Sequence, residues 1–233
     1  MRIDIVTAFP ELVRTPLQES ILKRAREKGL VQIFIHDLRE FTTDKHHQVD
    51  DYPYGGGSGM IMKPEPFFRA FDKITREFPS EKRKVIFMSP QGKTFHQKMA
   101  NELVHWEHLI FLCGHYKGVD ERVTEALVTD EISIGDYVLT GGELPALVVI
   151  DAVVRLIPDV INDYQSAATD TFQQDLLDHP HYTRPEDYRG YRVPDVLLSG
   201  HHQKIEEWRK QKSLERTIRK RKDLLKNLNK NNQ

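Results

Sequence analysis

The first two thirds of the chain alternate between short apolar runs and longer stretches with helical periodicity. Runs such as Ile3 to Phe9 and His108 to Cys113 have the length and composition of buried strands, whereas Thr94 to His105 has the pattern of a helix. Strands that alternate with helices in units of about 25 to 30 residues indicate a mainly parallel sheet with helices on both faces. Ligands of such sheets bind at the carboxyl ends of the strands. The sequence therefore predicts an α/β fold with a binding site at that edge.

The same patterns predict the remaining elements of this part of the chain. Further strands are predicted from Val31 to His36 and from Lys84 to Ser89. Further helices are predicted from Leu17 to Lys28, where Gly29 would end the helix, from about Glu65 to Phe78, and from Glu143 to Ile157. A long polar, glycine-rich loop is predicted from about Thr42 to Gly59.

Three loops are expected to meet at the carboxyl edge of the sheet: Pro90 to Gly92, Gly114 to Gly118 and Leu139 to Gly142. The third belongs to the segment from Ile132 to Pro145, where a strand-like run reaches paired glycines and then an apolar helix. Glycines leave main-chain N–H and C=O groups accessible, so such a loop can bind a flat heteroaromatic ring by its edges. A tight turn between a strand and a helix has the same spacing, so spacing alone leaves both interpretations open.

The composition predicts a globular protein of the cytoplasm. The chain has 233 residues, of which 39% are hydrophobic and 30% charged, and this excludes a disordered or fibrous class. Its single cysteine, Cys113, excludes an intramolecular disulfide and is typical of a reducing compartment. The sequence lacks an apolar run of about 20 residues and a signal-peptide pattern, so no membrane partner is expected.

Charge is distributed unevenly along the chain. From position 201 to 233 there are eleven Lys or Arg against four Asp or Glu, whereas the net charge of the whole chain is −1. A basic C-terminal part predicts a polyanionic partner, although a solvated charged helix has the same composition. A long amphipathic helix is predicted from about Gln203 to Leu228. We therefore predict an α/β domain at 1–158, a flexible linker at 159–175 and a small, basic, all-helical domain at 176–233.

Two suggestive motifs fail on spacing. Gly92-Lys-Thr94 lacks the glycine of a phosphate-binding loop, because Phe87 occupies the required position, and Gly55 to Gly59 lacks the last glycine of a dinucleotide fingerprint. The adjacent pairs His46-His47 and His201-His202 have no partner at metal-ligand spacing, so no zinc site is predicted at them.

Five separated blocks, which together span nearly the whole chain, resemble the bacterial tRNA (guanine-N1)-methyltransferases. The blocks are Val49 to Pro66, Cys113 to Arg122, Ile132 to Pro145, His181 to Pro185 and Leu197 to His202. The resemblance implies an α/β domain of the SPOUT class with a deep trefoil knot, which periodicity could not predict because knots are very rare. It also implies a homodimer in which both subunits contribute to each active site.

The activity implied by the resemblance is transfer of a methyl group from S-adenosylmethionine to N1 of the guanosine on the 3′ side of the tRNA anticodon. By the same resemblance Asp170 is the general base that removes the N1 proton, and Arg155 stabilises the charge on O6. A carboxylate on a mobile linker can close over a substrate, and an arginine in an apolar helix needs an anionic partner. Without the resemblance, Arg155 is interpreted as a salt-bridged helix arginine and Asp170 as an exposed linker aspartate.

The resemblance also assigns binding residues. For S-adenosylmethionine they are Pro90, Gly114, Tyr116, Ile134, Gly135, Asp136, Tyr137, Val138, Leu139, Gly141 and Gly142. For the tRNA anticodon arm they are Asp50, Asp51, Ser166, His201, Lys204, Arg209, Arg216 and Arg219. The lysines and arginines would contact phosphates, the residues near Asp50 would read the target base, and that base would be flipped out of its stack. DNA is not an expected partner.

One residue departs from the family pattern. Lys117 stands where the family usually has an acidic residue, and the family reaction is associated with Mg²⁺. Glu121 or Asp178 could supply the missing carboxylate, so the metal ligands are not assigned. Two alternatives remain: a SPOUT-type enzyme that acts on another RNA, and a catalytically weak RNA-binding paralogue.

Overall fold

The computed structural model describes residues 1–161, 171–172 and 176–225. The chain divides into two compact units, Met1–Asn162 and Asp163–Gln233, which are described separately below. In the part of the chain so described, no helix is both long and apolar enough to cross a bilayer.

A five-stranded parallel sheet forms the centre of the first unit, as the alternation of strands and helices predicts. The strands of this unit are β1 (Arg2–Thr7), β2 (Gln32–Asp37), β3 (Asp50–Asp51), β4 (Ile61–Met62), β5 (Arg83–Thr94), β6 (His108–Cys113), β7 (Gly118–Val119) and β8 (Asp130–Ser133). The main sheet has the order β2-β1-β6-β5-β8, and all of its pairs are parallel. Every residue of β1 and β6 is buried, because helices cover both faces of the sheet.

The helices of this unit are α1 (Glu11–Arg14), α2 (Ser20–Glu27), α3 (Pro64–Glu77), α4 (Gln97–Leu103), α5 (Glu121–Leu127) and α6 (Glu143–Val154). Short 3-10 helices occupy Pro16–Gln18 and Leu38–Phe41. The predicted helix from Leu17 is therefore interrupted, because Ser20 adopts a left-handed φ of 51° where α2 begins. Gly29, with φ of 71°, follows the end of α2 as predicted. The sequence analysis did not predict α5.

Strand β5 differs from its prediction. The strand was predicted to end at Ser89, before a loop and a helix that begins at Thr94. In the structure it continues to Thr94, and α4 begins only at Gln97. Both Met88 and Lys93 pair with Ile132 of β8, so the residues between them form an irregularity in the ladder. A Cβ atom on Gly92 would lie 2.4 Å from the carbonyl carbon of Glu131. The turn signal of Pro90 to Gly92 therefore marks a bulge in a strand.

A second, three-stranded sheet lies beside the carboxyl end of β6. In it β3 pairs antiparallel with β4, and β4 pairs parallel with β7. The predicted loop from Thr42 to Gly59 therefore contains a short strand, which carries Asp50 and Asp51.

A buried charge cluster joins the neighbouring strands β1, β2 and β6. Asp4 is fully buried and accepts hydrogen bonds from Arg2 at 2.7 and 2.9 Å, while its two oxygens lie 2.6 Å from His36 Nε2 and 2.7 Å from His108 Nε2. Burial by itself would raise the pKa of Asp4, but the hydrogen bonds with His108, His36 and Arg2 lower the pKa well below its usual range. The cluster stabilises the fold only while Asp4 is ionised.

We expect Asp4→Asn to lower the free energy of unfolding by about 3 kcal/mol at pH 7, because it removes one partner of a buried charge network. A carboxyl whose pKa is lowered by folding stabilises the protein above its ordinary pKa of about 4, and this contribution is lost as the pH falls further. The difference between the two proteins should therefore shrink in acid. Urea unfolding at several pH values measures it, with the exposed Asp72→Asn as control. A difference that does not change with pH would contradict the assignment.

The second unit is not all-helical, contrary to the prediction. Its described residues include a two-stranded antiparallel ladder between Asp187–Tyr188 and Tyr191–Arg192, besides a short helix, Asp195–Leu198, and a long C-terminal helix, His202–Lys220. Arg189 and Gly190 both have positive φ, which produces the tight turn of this hairpin. The C-terminal helix ends earlier than the predicted Leu228, and residues 226–233 lie outside the described part of the chain.

Candidate functional site

A cavity of about 340 Å³ opens at the carboxyl ends of β5, β6 and β8. Its lining comes mainly from residues 87–91, 114–119 and 131–142, which include the three predicted loops except Gly92. Ten of the eleven residues predicted to bind S-adenosylmethionine are among the lining: Pro90, Gly114, Tyr116, Ile134, Gly135, Tyr137, Val138, Leu139, Gly141 and Gly142. Asp136 is exposed and is not part of the lining. The structure thus brings these residues together, and their ligand stays a prediction.

Main-chain contacts join the two glycine-containing loops of this cavity. The N–H of Gly142 donates to the carbonyl oxygen of Gly114 at 2.8 Å, and His115 forms an isolated bridge with Gly141. A Cβ atom on Gly142 would lie 2.9 Å from Cα of Cys113 and 3.1 Å from N of Gly114. Glycine is needed at position 142 because the loop before α6 passes directly over the end of β6 and leaves no room for a side chain.

The loop that precedes α6 is held by its own polar groups. The Ser133 hydroxyl lies within 3.2 Å of the N–H and the carbonyl oxygen of Gly135, whose φ is 143°. The Tyr137 hydroxyl donates to the carbonyl oxygen of Ile134 at 3.1 Å. These contacts leave the side chains of Val138 and Leu139 exposed at the cavity.

Aromatic rings form one side of the site. His115 lies between Phe9 and Tyr116, with ring centroids 4.3 and 5.1 Å away. Tyr116 has a φ of 58°, a conformation that costs energy for a residue with a Cβ and that often accompanies binding sites. The strained backbone therefore holds the Tyr116 ring at the cavity.

A buried carboxylate below the cavity was not predicted. Glu143 is only 1% exposed, and the Thr7 hydroxyl donates to its Oε1 at 2.6 Å. His115 Nδ1 lies 3.9 Å from Oε2 of the same residue. The pKa of the Cys113 thiol is raised well above its usual value, first by burial and then by the charge of Glu143. The sequence offered one signal, an acidic residue in the first turn of an otherwise apolar helix.

The cavity also contains a cation at the position that departs from the family pattern. Lys117 lines the cavity, and its backbone N–H donates to the carbonyl oxygen of Met60 at 3.1 Å. Glu121 and Glu131 are the carboxylate residues among the lining. Within the described residues, no group of three metal-ligating side chains converges at this cavity.

The structure places the remaining predicted residues of the first unit as follows. Arg155 directly follows α6, is half-buried, and donates its backbone N–H to the Asp151 carbonyl oxygen at 3.2 Å. Asp51 is exposed and accepts the N–H of Tyr52, while Asp50 is half-buried. The predicted base Asp170 and the predicted substrate residue Ser166 lie outside the described residues.

On the C-terminal helix the predicted tRNA residues differ in their surroundings. Lys204 and Arg219 are exposed, and Arg209 forms an ion pair with Glu206 at 3.8 Å. His201 caps the helix, because its ring nitrogen accepts the N–H of Lys204. Arg216 is half-buried and donates to the carbonyl oxygen of Asp178 at 3.1 Å, so it has a structural contact within this unit.

Comparisons with known proteins identify relatives along nearly the whole chain. The family model described as tRNA (Guanine-1)-methyltransferase TrmD matches residues 1–227. A tRNA (guanine-N(1)-)-methyltransferase of Anoxybacillus flavithermus is 58% identical over 226 residues, which cover 97% of this chain and 91% of that protein. The protein of the same name from Desulforamulus reducens is 56% identical over 228 residues, 98% of this chain and 90% of that protein.

A third relative, the tRNA (guanine-N(1)-)-methyltransferase of Listeria welshimeri, is 54% identical over 227 residues and covers 97% of this chain and 93% of its own. A methyltransferase family of this kind uses S-adenosylmethionine as its methyl donor, which a backbone-lined cavity at the end of a parallel sheet can accommodate. Because the family model spans nearly the whole chain and the relatives are more than half identical along it, the chain belongs to the tRNA (guanine-1)-methyltransferase TrmD family.

Proposed function

We propose that this protein transfers a methyl group from S-adenosylmethionine to N1 of the guanosine on the 3′ side of the tRNA anticodon, position 37. The observation that carries the proposal is the cavity at the carboxyl edge of the sheet, on three segments that resemble the cofactor loops of the family. The adenine edge would bind main-chain groups of the loop around Gly141 and Gly142. The methionine part of the cofactor would extend toward Tyr116.

The reaction requires a base and a group that stabilises negative charge. N1 of guanine carries a proton at neutral pH, so its lone pair becomes available only when a base removes that proton. In the proposed reaction Asp170 takes the proton, N1 attacks the methyl carbon, the carbon–sulfur bond breaks, and S-adenosylhomocysteine leaves. The charge that develops on O6 would be stabilised by Arg155, which stands at the end of the apolar helix α6.

A homodimer with a SPOUT-type knot belongs to this proposal. Helix α6 carries apolar side chains on both of its faces: Ala146, Val149 and Ile150 are buried, whereas Leu144 and Val148 are 52% and 48% exposed and share their face with the exposed Asp151. An apolar helix face left exposed in one subunit favours a second copy as its partner. The knot enters the proposal only through membership of the family.

We expect Val148→Glu to convert the dimer into a monomer, because a carboxylate would be buried at the interface without a partner. Light scattering measures the mass. The control is Ile218→Glu on the C-terminal helix, since Ile218 is also 48% exposed but is not on α6. If both variants keep the mass of the unmodified protein, or if both lose it, α6 is not the dimer interface.

The second unit would bind the tRNA anticodon arm. Its C-terminal helix carries exposed Lys204, Arg209 and Arg219, which can contact phosphates. This mode of binding depends strongly on salt and adds little sequence information. Asp50 and Asp51, on the small sheet beside the cavity, would contribute to recognition of the flipped guanosine.

The role of Mg²⁺ in this protein is tied to Lys117. Within the described residues, a lysine lines the cavity and no group of three metal-ligating side chains converges there. These two features do not fit a Mg²⁺ site built by this chain. We therefore derive no step of the reaction through the ion.

We expect Lys117→Glu to change the Mg²⁺ concentration that gives half-maximal activity by about tenfold, because it replaces a cation that repels Mg²⁺ with a carboxylate, a ligand that Mg²⁺ prefers. Methyl transfer measured over a range of Mg²⁺ concentrations tests this, and Lys117→Gln separates loss of the cation from gain of a carboxylate. Superimposable Mg²⁺ curves for the unmodified protein and Lys117→Glu would refute the prediction.

The function itself is tested with two transcripts of one tRNA, one with guanosine at position 37 and one with adenosine there. The expected result is transfer from labelled S-adenosylmethionine to the first transcript only, mapped to N1. Transfer to both transcripts would refute the proposed acceptor. Transfer to neither, with cofactor binding confirmed by calorimetry, would indicate another RNA substrate, and loss of cofactor binding as well would favour a catalytically weak RNA-binding protein.

A further inference from the structure

A cluster of three metal-ligating side chains lies in the second unit. Asp178, His179 and His181 each offer one ligand atom, and these atoms lie within 4.8 Å of one another. We propose that these three residues form a binding site for a divalent first-row transition-metal ion such as Zn²⁺. Two imidazole nitrogens and a carboxylate oxygen suit such ions, whereas Mg²⁺ and Ca²⁺ prefer oxygen ligands alone.

The orientation of His179 leaves a place for a cation. Its Nδ1 lies 3.2 Å from the carbonyl oxygen of Pro180, an acceptor that assigns the ring proton to Nδ1. Nε2 is then the ring nitrogen that is available to an ion, and it lies 3.7 Å from Oδ1 of Asp178. A hydrogen bond from a ring nitrogen to a backbone carbonyl is also the usual outer contact of a metal-binding histidine.

The third ligand completes an open site. His181 Nε2 lies 2.7 Å from Oδ2 of Asp178 and its ring centroid lies 4.3 Å from that of His179. His181 is exposed, whereas Asp178 and His179 are half-buried. Three protein ligands on the open side of a unit leave the fourth tetrahedral position to water, the arrangement of a zinc site that can exchange its ion.

The backbone that carries these ligands is held in place independently of any ion. The N–H of Asp178 donates to the Thr171 hydroxyl at 3.1 Å, and its carbonyl oxygen accepts from Arg216. The N–H of Leu177 donates to Thr217 of the C-terminal helix at 2.9 Å. Small rotations of the three side chains therefore suffice to reach metal–nitrogen distances of about 2.0 to 2.1 Å.

The experiment uses the full chain, treated with a chelator and dialysed, with Co²⁺ and Zn²⁺ as probes. The ring centroid of Trp208 lies 6.5 Å from that of His179, so bound Co²⁺ should quench its fluorescence. A Trp106→Phe background leaves Trp208 as the single tryptophan of the chain. We expect saturable quenching at one ion per chain, displacement of Co²⁺ by Zn²⁺, and no effect of Mg²⁺.

Variants locate the ion. Asp178→Asn and His179→Ala should each weaken Co²⁺ binding at least tenfold, whereas His202→Ala, at an exposed histidine of the same unit, should leave binding unchanged. Circular dichroism establishes that each variant is folded, and a variant that is not folded is replaced by His181→Ala, whose exposed side chain can be removed without a cavity. The proposal is overturned if the unmodified protein shows no saturable binding, or if binding is lost in His202→Ala rather than in the Asp178 and His179 variants.

Discussion

Asp170→Ala is expected to reduce the rate of methyl transfer by about a thousandfold while the affinity for S-adenosylmethionine stays nearly unchanged. Removal of a general base typically costs 10²- to 10⁴-fold in rate, and the N1 proton of guanine must leave before the nitrogen can attack. Among the described residues, those that line the proposed cofactor cavity all precede position 146, so we expect these walls to persist in the variant. Single-turnover methyl transfer measures the rate, and calorimetry measures cofactor affinity.

The matched control for this experiment is Asp163→Ala, an aspartate of the same connecting segment. We expect it to retain the rate of the unmodified protein. A pH–rate profile adds a second criterion, because the residual activity of Asp170→Ala should no longer show the titration of a base. Normal turnover by Asp170→Ala, or equal losses in both variants, would remove Asp170 from the role of base.

Gly142→Ala is expected to weaken S-adenosylmethionine binding by at least a hundredfold. The new Cβ would meet backbone atoms of Cys113 and Gly114 at 2.9 and 3.1 Å, and backbone of a buried strand end cannot rotate away as a side chain can. The loop must therefore shift and lose its 2.8 Å hydrogen bond to Gly114, which lines the same cavity. Calorimetric titration of the cofactor measures the effect.

Gly118→Ala is the control for Gly142→Ala. Gly118 also lines the cavity, but a Cβ there has no neighbour within 4 Å and its φ is not in the left-handed region. It should bind the cofactor like the unmodified protein. Thermal unfolding of both variants establishes that the comparison is made on folded protein, and equal cofactor affinity in the two would show that the passage at Gly142 is not needed for binding.

The sequence predicted the central sheet because buried parallel strands are continuous apolar runs, and β6 is the clearest example. It predicted the meeting of the three loops because the carboxyl ends of parallel strands share one edge. Strand β5 escaped prediction because Pro90 and Gly92 are turn signals in isolation, whereas the pairing of Lys93 and Thr94 with β8 continues the strand. The hairpin of the second unit was not predicted because strands of two residues are too short to show an alternation of apolar and polar residues.

Side-chain networks between distant positions could not be predicted from one sequence. Thr7 and Glu143 are separated by 136 positions, and only the fold places the hydroxyl against the carboxylate. Asp178 was predicted only as a possible carboxylate ligand of Mg²⁺. Its grouping with His179 and His181 was missed, because Pro180 separates these histidines and they do not form an adjacent pair. Asp4, by contrast, is recognisable in the sequence as a charged residue within an apolar run. Its need for buried polar partners could therefore have been inferred.

The main-chain walls of the cavity have a consequence for inhibitor resistance. On the proposed assignment, a competitive inhibitor would form its hydrogen bonds with backbone groups near Gly114, Gly141 and Gly142, which substitutions other than proline leave in place. A new side chain at Gly142 would displace the inhibitor and the natural cofactor together, so a resistant variant would also lose its methyltransferase activity. Resistance would instead arise at Tyr116 or Lys117, whose side chains vary without closing the cavity, and a durable inhibitor should avoid contact with both.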